Sequence, residues 1–227
     1  DRLLSNTKLN VWQLMDSWVP YIIGARKEIV LSLDWTEFDS DDHSTIVLSM
    51  QTSHGRNTPL LWKTHRKHAL KGNRNNHEDE LLVKLRTLVA EDVKVTIVAD
   101  RGFSDKALFS FIEHELNFDF IIRIKSNIKV TDAVGELFPV KDWLLPSGRT
   151  RTLKDVQVTG NRQAVARVIC TKKKGMKEAW YLASSRNDLS SSKILTLYGK
   201  RWGIETTFRD IKDYRFGMGM SATYTRS

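Results

Sequence analysis

The sequence has little or nothing of what several protein classes require. Its only cysteine is Cys170, so an intrachain disulfide and a cysteine-rich zinc site are both excluded. No apolar run approaches the roughly 18 residues that a membrane-spanning helix needs, and the first residues carry no secretory signal. Internal repeats and low-complexity tracts are also absent. These absences favour a cytoplasmic, reducing environment and argue against a membrane protein.

Acidic residues are also in short supply relative to basic ones. The chain has 27 Asp and Glu residues against 36 Lys and Arg residues, which gives a net charge of +9 and a pI near 9.6. Such a balance favours polyanionic partners, chiefly nucleic acid; the alternative is a basic soluble protein without such a partner. The 227 residues suffice for one sizeable core, or for a core with an inserted subdomain.

The first half of the chain predicts a mixed sheet. Hydrophobic periodicity predicts a helix over residues 9–24 and strands over 28–34, 44–50 and 58–62, with a turn at 53–57. Three successive strands with short connections predict an antiparallel meander. The pattern then alternates between helix and strand, over residues 75–90, 93–100, 106–116 and 118–125. This order predicts an α/β fold in which helices pack on the sheet.

From about residue 128 the pattern becomes rich in β-formers. Strands are predicted over 156–158, 164–170 and 179–183, and the turn at 172–175 is basic. We therefore expect an inserted β-rich subdomain over residues 128–186, between a first part of the core (1–127) and a return to it (187–227). One long helix is predicted over 193–213, with an apolar stripe formed by Leu197, Ile204, Phe208 and Ile211.

Three acids stand where a metal site would need them. The predicted strands 28–34 and 93–100 end at Asp34 and Asp100, and the long helix carries Glu205. Mg²⁺ is a hard cation that prefers several converging oxygen ligands. The alternative is that both aspartates are ordinary turn formers.

The long helix presents further polar residues beside Glu205. At about 100° per residue, Tyr198, Arg201, Glu205 and Lys212 fall on one face that borders the apolar stripe. We expect Arg201 and Lys212 to contact the backbone phosphates of DNA, because their charges suit phosphate oxygens, and Tyr198 to hydrogen-bond or stack beside them. The alternative is a solvated face held by ion pairs.

These residues resemble the motifs of a known family. The segment from Tyr198 to Lys212 resembles, without a gap, the signature Tyr-(2)-Arg-(3)-Glu-(6)-Lys of the insertion-sequence-four group of bacterial DDE transposases. Leu33-Asp34-Trp-Thr resembles the family's first-aspartate strand, and Ala99-Asp100-Arg-Gly-Phe103 its second-aspartate motif. The resemblance extends over nearly the whole chain, with a β-rich insertion between the second and third motifs.

The resemblance implies a fold, a reaction and partners. It implies an RNase H-like fold with a catalytic and metal-binding triad of Asp34, Asp100 and Glu205. Two Mg²⁺ ions, with Mn²⁺ as substitute, would activate water or a DNA 3′-hydroxyl and stabilise the leaving oxygen. It further implies cleavage and strand transfer at transposon ends, usually through a DNA hairpin. Double-stranded DNA, as transposon ends and target, is the expected partner, and the full-length synaptic complex is expected to be a homodimer.

Three more residues are candidates for contacts with DNA. Ala179-Trp180-Tyr-Leu-Ala183 resembles the family's Trp-x-Leu segment, whose tryptophan holds a flipped base; Trp180 is otherwise a core aromatic, and Tyr181 is a nearby competitor. Arg123 and Lys125 alternate with Ile on a predicted strand, as solvent-face charges or as contacts to the DNA backbone.

The histidines favour DNA over zinc. His54, His65, His68 and His77 lie in a segment dense in Arg and Lys, and no Cys or acid joins them at a recognised zinc-finger interval. We expect a basic loop that faces DNA.

Two other functions stay open. The first expectation is an active transposase core. The alternatives are a catalytically silent DNA-binding or regulatory remnant, and an RNase H-like nuclease or resolvase. The three acids favour the first, and the uninterrupted signature disfavours the last. Because the chain begins without Met and stops soon after the signature, we expect a core fragment in which end recognition and synapsis are missing or weak. The expected location is the bacterial cytoplasm, in association with the nucleoid.

Overall fold

The fold is known from a computed structural model, which describes residues 6, 8–39, 42–159, 163–213 and 215. The chain divides into two compact units, the first formed by Asp1–Lys94 with Lys200–Ser227 and the second by Val95–Gly199. The predicted limits of the inserted subdomain, residues 128–186, stay a prediction.

The described residues form five α-helices and ten strands, together with three short 3₁₀ turns. The helices are α1 (Val11–Ile23), α2 (Arg74–Leu88), α3 (Lys106–Ser110, continued by a π-helical turn over Phe111–Glu115), α4 (Ser191–Gly199) and α5 (Trp202–Lys212). The strands are β1 (Glu28–Phe38), β2 (His43–Met50), β3 (Thr58–Arg66), β4 (Lys94–Ala99), β5 (Asp119–Arg123), β6 (Lys129–Thr131), β7 (Leu137–Pro139), β8 (Arg151–Val158), β9 (Gln163–Thr171) and β10 (Trp180–Ser184).

The first unit contains the predicted meander. Strand β2 lies between β1 and β3 and pairs antiparallel with both, so this prediction is confirmed. Helices α1 and α2 contact β3, and α1 begins where the Asn10 side chain accepts a hydrogen bond from the Trp12 N–H at 3.0 Å. Leu31, Leu33 and Leu48 are fully buried, so apolar burial fixes the register of β1 on β2.

The second unit is built on a large mixed sheet in the order β4-β5-β10-β9-β8-β6-β7. Strands β4 and β5 are parallel, whereas the pairs that follow are antiparallel. The predicted mixed α/β class is therefore confirmed. The short strands β6 and β7 were not predicted, because three residues are too few to set up a readable alternation.

The predicted single helix over residues 193–213 is wrong. The structure has two helices, α4 and α5, separated at Lys200 and Arg201. Gly199 is the last residue of α4, and glycine is a weak helix former because its backbone loses the most entropy on ordering. Tyr198 therefore lies on α4 while Glu205 and Lys212 lie on α5, so the expectation that four signature residues share one face of one helix does not hold.

A buried arginine holds the segment that precedes α4. Arg186 is 2% exposed; its Nε and Nη2 donate to the two carboxylate oxygens of Asp188 at 2.7 and 2.8 Å, and its Nη1 donates to Thr96 Oγ1 at 2.6 Å. A buried guanidinium needs such partners to offset its desolvation. In the part of the chain that the structure describes, no helix combines the length and the apolarity required to cross a membrane.

Candidate functional site

Asp34 lies inside a strand, which corrects its predicted place at a strand end. Strand β1 continues to Phe38, and Asp34 is paired with Val47 of β2. The prediction failed because the residues after Asp34 (Trp-Thr-Glu-Phe) continue to pair with β2. Side chains two apart share a face of a strand, so Ser32, Asp34 and Thr36 point to the same side of β1.

Glu205 lies in the first turn of α5, and Arg201 joins it to Asp34. The Arg201 Nη1 donates to Asp34 Oδ2 at 3.0 Å, and its Nη2 donates to Glu205 Oε1 at 2.8 Å. The Arg201 side chain is 7% exposed, against 20% for Asp34 and 47% for Glu205. Two carboxylates from distant parts of the sequence thus meet at the two ends of one guanidinium. The sequence predicts that Arg201 contacts DNA phosphates. In the structure it contacts the carboxylates of Asp34 and Glu205.

An open groove of about 670 Å³ runs beside this acidic pair. Asp34 and Thr36 of β1 line it together with Glu205, Arg209 and Lys212 of α5. The Lys212 Nζ donates to the backbone carbonyl of Glu37 at 2.6 Å and lies 5.1 Å from the centre of the Phe38 ring. The groove therefore presents carboxylates and bases together, an arrangement that suits a cation and a phosphate at the same time.

Asp100 belongs to the second unit and follows β4 directly, as predicted. Its Oδ1 accepts a hydrogen bond from the Gly102 N–H at 2.7 Å, and the side chain caps the short 3₁₀ turn Arg101–Phe103. A Cβ on Gly102 would lie 2.9 Å from that oxygen, so glycine leaves room for the carboxylate. That Asp100 joins Asp34 and Glu205 stays a prediction.

The described residues contain no group of three or more His, Cys, Asp or Glu side chains close enough together to hold a metal ion. The four histidines predicted to favour DNA over zinc also form no such group. Two of them, His65 and His77, stack with ring centres 3.8 Å apart. Burial, followed by the charges of His77 and Lys63, lowers the pKa of His65 to about 4. A contact between this segment and DNA stays a prediction.

Tyr198 and Trp180 contact each other within the second unit. Tyr198 is 1% exposed on α4, and its ring meets the half-buried Trp180 edge-on, with centres 4.9 Å apart and planes at 72°. A Cβ at Gly199 would lie 3.9 Å from Trp180 Cη2, which is an ordinary van der Waals contact, so the indole does not require glycine there. Tyr181, the alternative to Trp180 as the residue that stacks on a base, is buried, with only 8% of its surface exposed. Base stacking on Trp180 and a DNA contact by Tyr198 stay predictions.

Arg123 and Lys125 have different surroundings. Arg123 lies at the end of β5; its Nη2 donates to Glu178 Oε2 at 2.7 Å and to the Ala179 carbonyl at 3.0 Å. This hydrogen bond, followed by the charges of Arg101 and Arg123, holds the pKa of Glu178 below its ordinary value. Lys125 lies beyond the strand and is exposed. Contacts of either residue with DNA stay predictions. To bind a phosphate, Arg123 would have to release the Glu178 carboxylate or bind both.

Comparison with known proteins decides the family. A family model described as "Transposase DDE domain" matches residues 25–226. The chain belongs to this family. Among curated proteins, none matches the sequence of this DDE domain.

Solved structures give only weak likenesses to this DDE domain. One is Marinitoga piezophila Argonaute in complex with 5′-OH guide RNA, at 11% identity and a TM-score of 0.31, with 76% of this chain and 25% of that chain covered. The same Argonaute with guide RNA and target DNA gives 9% identity and a TM-score of 0.27, with 85% and 26% covered. The DDE domain thus spans about a quarter of these chains, and likenesses at this level carry no argument about its fold or function.

Sequence reasoning could find some contacts in this DDE domain and missed others. The contact of Arg201 with Glu205 was readable, because residues four apart on a helix are neighbours. The contact of Arg201 with Asp34 was not, since it joins residues 167 positions apart. Glu178 and Arg186 of the second unit gave no local signal, because their ion pairs depend on partners that only the fold supplies.

Proposed function

We propose that this transposase DDE domain is the catalytic core of a DNA transposase of the insertion-sequence-four type, with an RNase H-like fold. It would cleave phosphodiester bonds at transposon ends and join the freed 3′-ends to target DNA. The observation that carries the proposal is the convergence of Asp34 and Glu205, the first and third acids of the motif, at one guanidinium. The family match over residues 25–226 supports the same function.

Asp34 and Glu205, with Asp100 as third ligand, are proposed to hold two Mg²⁺ ions, or Mn²⁺ in their place. The donors fit these cations, because carboxylate oxygens are the ligands that hard divalent ions prefer. When bound, such ions activate water or a DNA 3′-hydroxyl for attack on the phosphorus and stabilise the leaving oxygen. The Arg201 guanidinium compensates the charge of the acidic pair, and with a cation bound there it would turn to a phosphate instead.

The basic residues are proposed to hold the DNA. Lys212 lines the groove beside the acids, where an ammonium would fix the register of a backbone phosphate without reading its sequence. Arg123, Lys125 and Tyr198, which belong to the second unit, are proposed to contact the DNA as well. In the proposed reaction a hairpin forms on the transposon end, with one base stacked on Trp180. The complete protein is proposed to act as a homodimer on paired ends.

The test is metal-dependent cleavage of DNA. Supercoiled plasmid and duplexes carrying the sequences that flank the gene would be incubated with the chain in Mg²⁺, Mn²⁺ or EDTA. Asp34→Asn, Asp100→Asn and Glu205→Gln should each lower cleavage by at least about 100-fold, since changes outside the ligand shell alone cost about 10–100-fold. Binding of the duplexes should persist in all three variants. The matched control is Asp210→Asn, which removes a carboxylate from the same helix as Glu205.

Four outcomes would count against the proposal. Cleavage that survives in EDTA would exclude the metal mechanism, and cleavage that survives Glu205→Gln would remove this acid from it. Tight duplex binding without cleavage in either metal would support instead a silent DNA-binding remnant. Cleavage of branched DNA in preference to transposon ends would indicate a resolvase.

A further inference from the structure

A buried polar cluster lies where the turn after β2 meets α5. Its centre is Asn57, which is 5% exposed and immediately precedes β3. The Asn57 Nδ2 donates to the Ser32 hydroxyl at 2.9 Å, and Gln51 Nε2 donates to the same hydroxyl at 3.1 Å. Because Ser32 belongs to β1, the Asn57 side chain ties the turn to the strand that carries Asp34.

The backbone of Asn57 is tied to α5. Its N–H lies 3.1 Å from Thr207 Oγ1 and 3.3 Å from the Gly203 carbonyl. In return, the Thr207 hydroxyl donates to the Asn57 carbonyl at 2.9 Å. Thr207 is itself 8% exposed, so these hydrogen bonds are shielded from water, and breaking one leaves a buried polar group without compensation.

Gly203 allows the helix to come this close. A Cβ at this position would lie 2.3 Å from Asn57 Oδ1 and 3.0 Å from its Cγ. Any side chain at residue 203 must therefore displace the Asn57 amide or push α5 away from the turn. The glycine weakens the helix, since it costs about 1 kcal/mol relative to alanine, and the close approach explains why that cost is accepted here.

The cluster contacts the chain two residues before each acid. Ser32 precedes Asp34 on the same face of β1, and Gly203 precedes Glu205 in the first turn of α5. Asn57 is bonded on one side to Ser32 and on the other to Gly203 and Thr207. One residue therefore joins the two backbone segments whose separation decides how far apart the two carboxylates lie.

We propose that Asn57 is a positioning residue that, through Ser32, Gly203 and Thr207, sets the separation of the Asp34 and Glu205 carboxylates for metal binding. This assignment rests on the proposed function, because it gives Asn57 a role in holding a divalent cation. Asn57 itself contacts neither acid. It acts through the two backbone segments, in the way that groups outside the ligand shell orient the ligands of metal sites.

The assignment of Asn57 is tested by measuring Mn²⁺ affinity on the whole chain by isothermal titration calorimetry, together with the melting temperature in EDTA. Asn57→Ala and Thr207→Val should each weaken Mn²⁺ binding about tenfold or more. Thr207→Ser keeps the hydroxyl and should bind Mn²⁺ as the wild type does. Because Thr207→Val and Thr207→Ser differ mainly in one hydroxyl, the pair remains informative if Asn57→Ala does not fold.

Gly203→Ala gives an independent check. Alone it should weaken Mn²⁺ binding, because the new methyl group collides with the Asn57 amide. Combined with Asn57→Ala it should weaken binding no more than Asn57→Ala does, since the collision is gone. Such non-additivity is expected only for groups in direct contact.

The matched control is Arg56→Ala. Arg56 is the neighbour of Asn57 and also ties the turn to α5, through an ion pair with Asp210, but this pair is at the exposed surface and does not reach β1. Arg56→Ala should leave Mn²⁺ affinity unchanged.

Failure of the Asn57 assignment and failure of the proposed function give different results. If Asn57→Ala and Thr207→Val lower the melting temperature but bind Mn²⁺ like the wild type, the cluster is merely structural and the assignment is overturned. If the wild-type chain itself binds no Mn²⁺, the proposed function fails, and the assignment fails with it.

Discussion

Replacing Arg201 by methionine should destabilise the chain in a way that a divalent cation repairs. The substitution keeps an unbranched side chain of similar length but removes the charge between Asp34 and Glu205. The two carboxylates would then face each other without the guanidinium between them, and like charges at short range oppose each other's ionisation. Magnesium or calcium ions should occupy the position that the guanidinium leaves.

The magnitude follows from the exposure of the three groups. Removing one partner of a fully buried ion pair costs about 3–5 kcal/mol, whereas exposed pairs contribute about 0–1 kcal/mol. Arg201 is buried, but the Glu205 side chain is 47% exposed, so we expect an intermediate loss of about 1–3 kcal/mol. For a chain of this size, that corresponds to a fall of roughly 0.5–1 M in the urea midpoint.

The assay is urea unfolding in EDTA and in increasing MgCl₂ or CaCl₂. A cation present at 100 times its dissociation constant stabilises the folded state by about 2.7 kcal/mol, so saturating metal should restore most of the loss. The metal-dependent gain should be larger in Arg201→Met than in the wild type, because the wild-type guanidinium competes for the same oxygens. Arg209→Met, an equal loss of charge at an exposed position of α5, is the control.

Two results would refute this reasoning. The first is an Arg201→Met variant that unfolds in EDTA at the wild-type urea concentration, which would mean that the ion pairs contribute nothing. The second is an equal metal-dependent gain in Arg201→Met and Arg209→Met, which would reduce the effect to the net charge of the chain.

Four further predictions concern other parts of the molecule. The pKa of His65 is lowered to about 4 in the folded chain, so as the pH falls below about 6.5 the imidazole is protonated in the unfolded chain before it is protonated in the folded one. The contribution of neutral His65 to stability should therefore be complete above that pH, and stability should fall by roughly 1–3 kcal/mol towards pH 4. Urea unfolding against pH should show a flatter curve for His65→Gln and an unchanged one for the exposed His54→Gln. Arg186→Ala should cost about 1–3 kcal/mol in urea unfolding, because it takes a hydrogen-bond donor from the buried Thr96 hydroxyl, whereas Asp188 is 44% exposed, and a loss below 1 kcal/mol would contradict the assigned bonds. Trp180→Ala should depress hairpin yield far more than first-strand nicking, since base stacking contributes roughly 1–3 kcal/mol; equal loss of both, with a large drop in melting temperature, would assign Trp180 to the core. Lys212→Ala should reduce the salt dependence of duplex binding by about one unit of slope, and an unchanged slope would exclude a phosphate contact.

The sequence was sufficient for elements whose signal is local. The meander β1–β3, the helix α2 and the strands β4 and β5 all have the predicted type and order. Each of them buries an apolar face with its own period, so residues close in the sequence carry the information. The prediction that Asp100 follows a strand succeeded for the same reason, because β4 is a short, almost continuous apolar run.

The errors arose where pairing or chain breaks override the local pattern. Strand β1 extends past Asp34 because β2 is long enough to pair with its last residues, which no property of the segment around Asp34 reveals. The residues around Asn57 could be predicted only as a turn. Their contacts with Gly203 and Thr207 join positions about 150 apart, and such contacts leave no periodic trace.

The break between α4 and α5 gives the signature spacing a physical meaning that a single helix would not. Arg201 keeps helical backbone angles, φ −52° and ψ −37°, and its carbonyl accepts the Ile204 N–H at 3.0 Å. Arg201 and Glu205 therefore remain neighbours one turn apart, and the interval of three residues between them is required for one guanidinium to reach both Glu205 and Asp34. The interval between Tyr198 and Arg201 crosses the break instead, so helical phase cannot be what fixes it. Tyr198 is buried against Trp180, and its position is constrained by that packing. The two halves of the signature are thus held by different forces, an ion-pair geometry on α5 and an aromatic contact on α4, and substitutions in the two halves should fail in different assays.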